Sequence, residues 1–189
     1  MEKKSIITIA GMLGAGKSST ARLVAEELGY QHFSSGDLMR AIGKERGIDD
    51  ICQVNIAGEK DPTFDHMVDE RLRQIGQTES DIVIDSRMAW HWMPYSFKVY
   101  LDIPLEVAVP RILAGISPER RDTEHIPDSP EEYKELLQQR INSENRRYKS
   151  LYNVTGADLT QYDLVLNTTD MPIEDVVKSV IAAYRAWLG

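Results

Sequence analysis

Gly11-Met12-Leu13-Gly14-Ala15-Gly16-Lys17-Ser18 matches the phosphate-loop pattern G-x-x-x-x-G-K-[ST], and the stretches on either side decide how it is read. Ser5-Ile6-Ile7-Thr8-Ile9-Ala10 carries three isoleucines and no charge, the signature of a buried strand. From Ser19 to Leu28, Ala21, Leu23, Val24, Ala25 and Leu28 recur at helical spacing with Arg22, Glu26 and Glu27 between them. A glycine turn could simply link strand to helix. Strand, glycine loop and helix together are instead the context in which this pattern acts. Successive backbone N–H groups can curl around an anion, and the helix adds its positive N-terminal end. Lys17 would then reach the β- and γ-phosphates of a nucleotide, and the Ser18 hydroxyl would hold Mg²⁺.

Working outward, further short apolar strands are expected near Tyr30–Ser34, Asp81–Asp85, Phe97–Asp102 and Tyr162–Asn167. Helices are expected at about 35–46, from Asp61-Pro62 to Gln74, from Pro104, over 131–152 and over 172–188. Pro110 should bend or shorten the helix it sits in. Gly115 to Ser129, with Pro118, Arg120, Arg121, Asp122 and Pro127, reads as a mobile surface loop whose arginines could close over a polyphosphate. Five strands alternating with helices imply a parallel sheet covered on both faces, with ligands at the carboxyl ends of the strands.

Composition narrows the function. A chain of 189 residues, 42 % hydrophobic and 28 % charged, suits one soluble domain. The single cysteine, Cys52, rules out an internal disulfide framework and reads as incidental. His32, His66, His91 and His125 show no metal-ligand spacing. A net charge of −8 argues against gripping a nucleic-acid backbone, while leaving room for arginines focused in a nucleotide cleft. With no apolar run near the ~18 residues of a membrane span and no leader pattern, the expectation is a cytoplasmic protein without membrane partners, acting as a monomer or homodimer.

Asp85 ends an apolar strand, where it either supports Mg²⁺ or caps the next turn. Asp102 stands at the equivalent place on the following strand and is read as a cap. Arg87, Arg40 and Ser34-Ser35-Gly36-Asp37 suggest a second anion site facing the first, because guanidinium groups bind phosphate through paired, fixed hydrogen bonds. On the helix from Glu131, Tyr133, Leu136, Leu137, Arg140, Ile141, Glu144, Arg147, Tyr148 and Leu151 fall on one stripe. Three charges on an inward face mean either a wet, charged cleft or a structural ion-pair network. The Trp90-His91-Trp92-Met93 cluster reads as core or interface rather than as a stacking platform.

Several blocks resemble the nucleoside monophosphate kinases, and among them the short cytidylate kinases of the archaeal type. They are the loop 11–19, Ser35-Gly36-Asp37 with Arg40, Asp61-Pro62 with Asp65 and Asp69, Asp85-Ser86-Arg87, Leu105-Glu106-Val107 with Arg111, Arg140-x-x-Ser143-Glu144-x-x-Arg147-Tyr148, and Tyr162-Asp163-Leu164-Val165-Leu166-Asn167-Thr168. The resemblance implies a phosphate-loop NTPase fold, a three-layer α/β/α domain over 1–189. Its core would be 1–34, 77–114 and 150–189, with a helical acceptor-binding insertion at 35–76 and a lid at 115–130 before the long helix. It implies ATP as donor, Mg²⁺ as cofactor, and CMP or dCMP as acceptor. Gly11 to Ser19 would bind ATP, with Arg111 against the donor base. Ser35, Asp37, Arg40, Arg87, Arg140 and Glu144 would bind the acceptor. Lys17, Arg87, Arg140 and Arg147 would act in catalysis, and Ser18 and Asp85 would hold the metal. Base selectivity would involve Asp65, Asp69 and the Trp90 region. The chain departs from the family pattern at Ser86, where glycine is usual, at Pro110, and in a longer, more acidic lid. A kinase of another small acceptor and a nucleotide-gated switch without acceptor remain alternatives at this stage. The guanine-reading Asn-Lys-x-Asp element is missing.

Overall fold

In the computed structural model, residues 4–48, 54, 57–58, 61–117, 121, 126–154 and 158–189 are described. The elements run β1 (Ile6–Gly11), α1 (Lys17–Leu28), β2 (Gln31–Ser34), α2 (Ser35–Glu45), α3 (Thr63–Thr78), β3 (Ile82–Asp85), α4 (Ala89–Trp92), β4 (Phe97–Asp102), α5 (Leu105–Gly115), α6 (Pro130–Tyr152), a 3₁₀ turn (Leu159–Gln161), β5 (Leu164–Asn167) and α7 (Ile173–Leu188). All strand pairs are parallel, in the order β2-β3-β1-β4-β5.

All six residues of β1 are buried, because the strand lies between two others and is covered on both faces. Its one polar side chain, Thr8, is matched by Ser96, the two hydroxyls standing 3.1 Å apart. Ile7 and Ile9 pack with Val99 and Leu101 against Val24, Ala108, Val177 and Val180, which are side chains of α1, α5 and α7. Ile6, Ile82 and Ile84 pack on the opposite face against Ile42, Phe64, Leu72 and Met93. The three-layer α/β/α sandwich expected from the strand–helix alternation is present.

Register brings the strand ends level. Ser34 lies opposite Asp85, Asp85 opposite Ile9, and Gly11 opposite Leu101. At Gly11 the chain leaves the sheet with φ +144, and a Cβ there would sit 2.1 Å from the Leu101 carbonyl oxygen. Only glycine permits that crossing. The Met12 N–H, 2.9 Å from the same oxygen, ties the start of the loop to β4.

α5 runs through Pro110 to Gly115, so the proline does not shorten it. Three expectations need correction. Asp102 does not cap α5: the N-cap is Pro104 and receives no side-chain bond, since Asp102 lies two residues too early to reach the first-turn amides. Leu136 is 46 % exposed, because at 100° per residue it falls ~60° from Tyr133, on the edge of the inward stripe. The stretch 115–129 is not wholly a free surface loop, since Ile126 is buried in the core and Arg121 pairs with Asp128. Cys52, Pro118, Arg120, Asp122 and His125 lie outside the described residues.

Gly11→Ala should lower stability by about 2–4 kcal/mol through overlap and backbone strain. Urea unfolding checks this, and a change below 1 kcal/mol would mean that β4 can yield.

Candidate active site

A cavity of about 620 Å³ opens at the carboxyl ends of β1 and β3. Lys17, Ser18, Ser35, Arg40, Asp85, Arg87, Arg140, Glu144 and Arg147 all line it, although they come from α1, α2, β3, the turn after β3, and α6. Asp37 does not line it; it pairs instead with Arg40 on the same helix. Nor does Arg111, whose Nη2 donates to the carbonyls of Thr168 at 3.2 Å and Thr169 at 2.9 Å. Ser19 is exposed on the first turn of α1.

The phosphate loop takes positive φ only at its glycines, which adopt it without strain. Gly14 and Gly16 hold φ near +80, the latter at the N-cap of α1, which has no side-chain cap and so leaves its first amides for an anion. Lys17 Nζ donates to the Met12 carbonyl at 2.7 Å. Burial pushes the Lys17 pKa down to about 7; Arg87 and Arg140 lower it further and Asp85 opposes them. The Ser18 hydroxyl donates to Asp85 Oδ2.

Arg87, two residues beyond Asp85, is pushed down to about 10, first by burial and then by Arg140 and Arg147, against the pull of Tyr148 and Asp85. Glu144 neutralises it with one oxygen and accepts Arg140 Nε at 3.1 Å with the other. Arg147 Nε lies 2.9 Å from Asp65 Oδ2 on α3. The inward charges of α6 therefore form both of the arrangements that the sequence left open: they are ion-paired, and they line a cleft.

α3 contributes a second wall. Asp65, Val68, Asp69 and Leu72 face the cavity, joined by Met39 of α2 and by Met88. Asp69 accepts Trp92 Nε1 at 2.9 Å and the Tyr152 hydroxyl. Burial raises the pKa of both aspartates, an effect that Arg147 moderates at Asp65 and Tyr152 at Asp69. Sequence reasoning placed neither Trp92 nor Tyr152 here. The available signal was that both aspartates flank the apolar arc of their own helix, whereas the charges of α6 lie within theirs. Trp90 is buried on the far side of the turn, its Nε1 donating to the Arg87 carbonyl at 2.9 Å. A smaller cavity of about 210 Å³ lies between the start of the loop, Tyr100, Tyr162 and α6, sharing Arg87, Glu144 and Tyr148 with the first.

Residues 6–170 match the cytidylate kinase-like family. The chain belongs to that family. A cytidylate kinase of Halobacterium salinarum is 34 % identical over 187 residues, covering 96 % of this chain and 91 % of its own length. One of Natronomonas pharaonis is 36 % identical over 185 residues, covering 95 % and 90 %. Among solved structures, the shikimate kinase of Aquifex aeolicus matches with a TM-score of 0.59 at 21 % identity, over 97 % of this chain and 99 % of its own. An uncharacterized protein from Eubacterium ventriosum matches at 0.67 and 14 % identity, over 96 % and 98 %. The likeness to shikimate kinase establishes the phosphate-loop kinase fold. Membership of the family makes this chain a kinase, a nucleotide-binding transferase. Among the described residues no helix is long and apolar enough to cross a membrane.

The raised pKa of Asp65 has a consequence for stability. An acid whose folded pKa exceeds its unfolded value favours the folded state while protonated, and loses that contribution as pH rises through the folded pKa. Asp65→Asn removes the titration, so the variant should gain stability relative to wild type as pH rises from about 4 to 7. Urea unfolding at both ends measures the difference, and a relative stability that falls instead would mean that Arg147 outweighs burial.

Proposed function

We propose that this kinase transfers the γ-phosphoryl group of ATP to a nucleoside monophosphate, with CMP or dCMP as acceptor, giving CDP or dCDP and ADP. One observation carries the reading: arginines from α2, the turn after β3, and α6 line one cavity with Lys17 of the phosphate loop. A polyphosphate and a monophosphate meeting head-on would require such a cluster. The cytidylate kinases of the haloarchaea named above support the choice of acceptor.

In this reading, 35–76 is the acceptor-binding insertion, 115–130 the lid, partly outside the described residues, and the remainder the core with its long helix. The loop amides from Gly11 to Ser19 hold the donor phosphates. Arg111, tied to the loop after β5, stands near the donor base. Ser35, Arg40, Arg87 and Arg140 hold the acceptor phosphate, Asp37 orienting Arg40 and Glu144 orienting Arg87 and Arg140. Arg147 braces the group in transit.

The oxygen pair of Ser18 and Asp85 fits Mg²⁺, which takes one or two protein oxygens and fills its shell with phosphate and water. When bound, Mg²⁺ would neutralise charge between the β- and γ-phosphates. The chain's own work is alignment and charge: it places an acceptor phosphate oxygen in line with the γ-phosphorus and surrounds the transfer with cations. No general base is required, because that oxygen is already anionic. Lys17 gives up the Met12 carbonyl for phosphate, and the incoming negative charge restores its proton affinity.

ADP release measured with ATP and CMP, dCMP, UMP, AMP or small polyols tests the acceptor. Release that depends on CMP or dCMP is expected, and release indifferent to every acceptor contradicts the proposal. Lys17→Ala should lower turnover by about 10²-fold or more. Arg40→Ala should chiefly raise the acceptor KM, by about tenfold. Intact transfer by the Lys17 variant would refute the mechanism.

A further inference from the structure

Arg87 lines both cavities, the larger one with the phosphate loop and the smaller one with Tyr100, Tyr148 and Tyr162. A guanidinium group suits either neighbour, since it pairs with phosphate oxygens and also stacks on aromatic rings. Its presentation must therefore be fixed from outside. Glu144 pairs with the guanidinium, but Glu144 itself lines both cavities and cannot choose between them.

The backbone of the turn after β3 supplies the choice. The Ser86 N–H donates to the Ile9 carbonyl at 3.1 Å, and the Met88 N–H donates to the Ser86 hydroxyl at 3.2 Å. Among the described residues the Arg87 carbonyl accepts no backbone N–H. It accepts the indole N–H of Trp90 instead, at 2.9 Å. Trp90 is 7 % exposed on the short helix α4 and lines neither cavity. Its ring packs with Ala10 and Tyr100 and lies 5.5 Å, centroid to centroid, from Tyr162. The tyrosine wall of the smaller cavity thus holds the indole, and the indole holds the turn. With no backbone donor to take its place, loss of the indole N–H would leave the carbonyl unpaired and the turn free to rotate.

We infer that Trp90 is a positioning residue for phosphoryl transfer: through the Arg87 carbonyl it fixes the turn after β3, so that the Arg87 guanidinium meets the acceptor phosphate. The inference rests on the nucleoside monophosphate reading above. Paired guanidinium–phosphate bonds have a fixed geometry, so a small rotation of the turn spoils them even where the fold survives.

Trp90→Phe keeps a ring in the packing and removes the N–H. Replacement of Trp90 by β-(3-benzothienyl)alanine keeps the full shape of the indole and removes only the N–H, which covers the case in which the phenylalanine variant fails to fold. In either variant kcat/KM for CMP should fall about 5- to 30-fold while the KM for ATP stays within about twofold. In an Arg87→Ala background the same change at Trp90 should alter kcat/KM for CMP by less than about twofold, because the residue it positions is gone. A side chain that served stability alone would lower the melting temperature and leave the kinetics of the folded enzyme untouched. Wild-type kcat/KM for CMP in either folded variant would overturn the inference. So would a Trp90 effect of undiminished size in the Arg87→Ala background. Wild-type ADP release that ignores CMP and dCMP would overturn the acceptor reading and the inference with it, a result distinct from CMP-dependent release that the Trp90 variants leave unchanged.

Discussion

Positive charge is crowded into one cavity of a chain whose net charge is −8, and the rest of the site follows from that crowding. Lys17 is pushed down to about 7 and Arg87 to about 10, chiefly because burial strips water from them, with Arg87 and Arg140 adding to the effect at Lys17 and Arg140 and Arg147 at Arg87. Each cation is meanwhile held by something less than a phosphate. The Met12 carbonyl holds Lys17, Glu144 holds Arg87 and Arg140, Asp65 holds Arg147, and Asp37 holds Arg40. The Arg87–Glu144 and Arg147–Asp65 pairs are largely buried, so losing either partner there would be costly, whereas the exposed Arg40–Asp37 pair contributes little. A phosphate with two charges and three strong acceptor oxygens can replace them on better terms. The binding selectivity of the cavity is, in this sense, already present as its internal electrostatics.

The crowding is possible only because the backbone converges. β1 lies at the centre of the sheet, so the loop leaving it stands between the ends of β3 and β4. Gly11 lets that loop pass directly over the Leu101 carbonyl, which puts Lys17 and Ser18 within reach of Asp85 on the adjacent strand. The turn after β3 then delivers Arg87 to the same edge, where the Ser86 hydroxyl accepts the Met88 N–H at 3.2 Å and the Ser86 N–H donates to Ile9 at 3.1 Å. The serine that departs from the family pattern is thus accommodated as a turn residue, 4 % exposed, with its hydroxyl spent on the backbone.

Much of this was legible in the sequence wherever a local rule and a global need coincide. The loop could be read because its flanking strand and helix are unambiguous, and Arg140, Glu144 and Arg147 because charges on an apolar stripe are a contradiction that demands a cavity. Strand order could not be read, since periodicity says which residues are buried and nothing about which strands are neighbours. Arg111 was legible as a residue and not as a contact, because its partners are two carbonyls of a distant turn. Asp65 and Asp69 stood out only as acids in a matched block. Their meaning depends on Trp92 and Tyr152, 23 and 83 residues from Asp69 in sequence, which no spacing rule connects. Leu136 shows the opposite failure, where a helical projection alone assigns a residue at the margin of an arc to the core.

The long helix α6 joins the two halves of the cavity mechanically. From Arg140 to Tyr152 it extends about 18 Å at 1.5 Å per residue, as one continuous helix. Its first charges hold Arg87 at the phosphate end, Arg147 reaches Asp65 on the α3 wall, and Tyr152 fixes Asp69 behind it. Pressure on the α3 wall therefore bears on the guanidinium groups through a single stiff element.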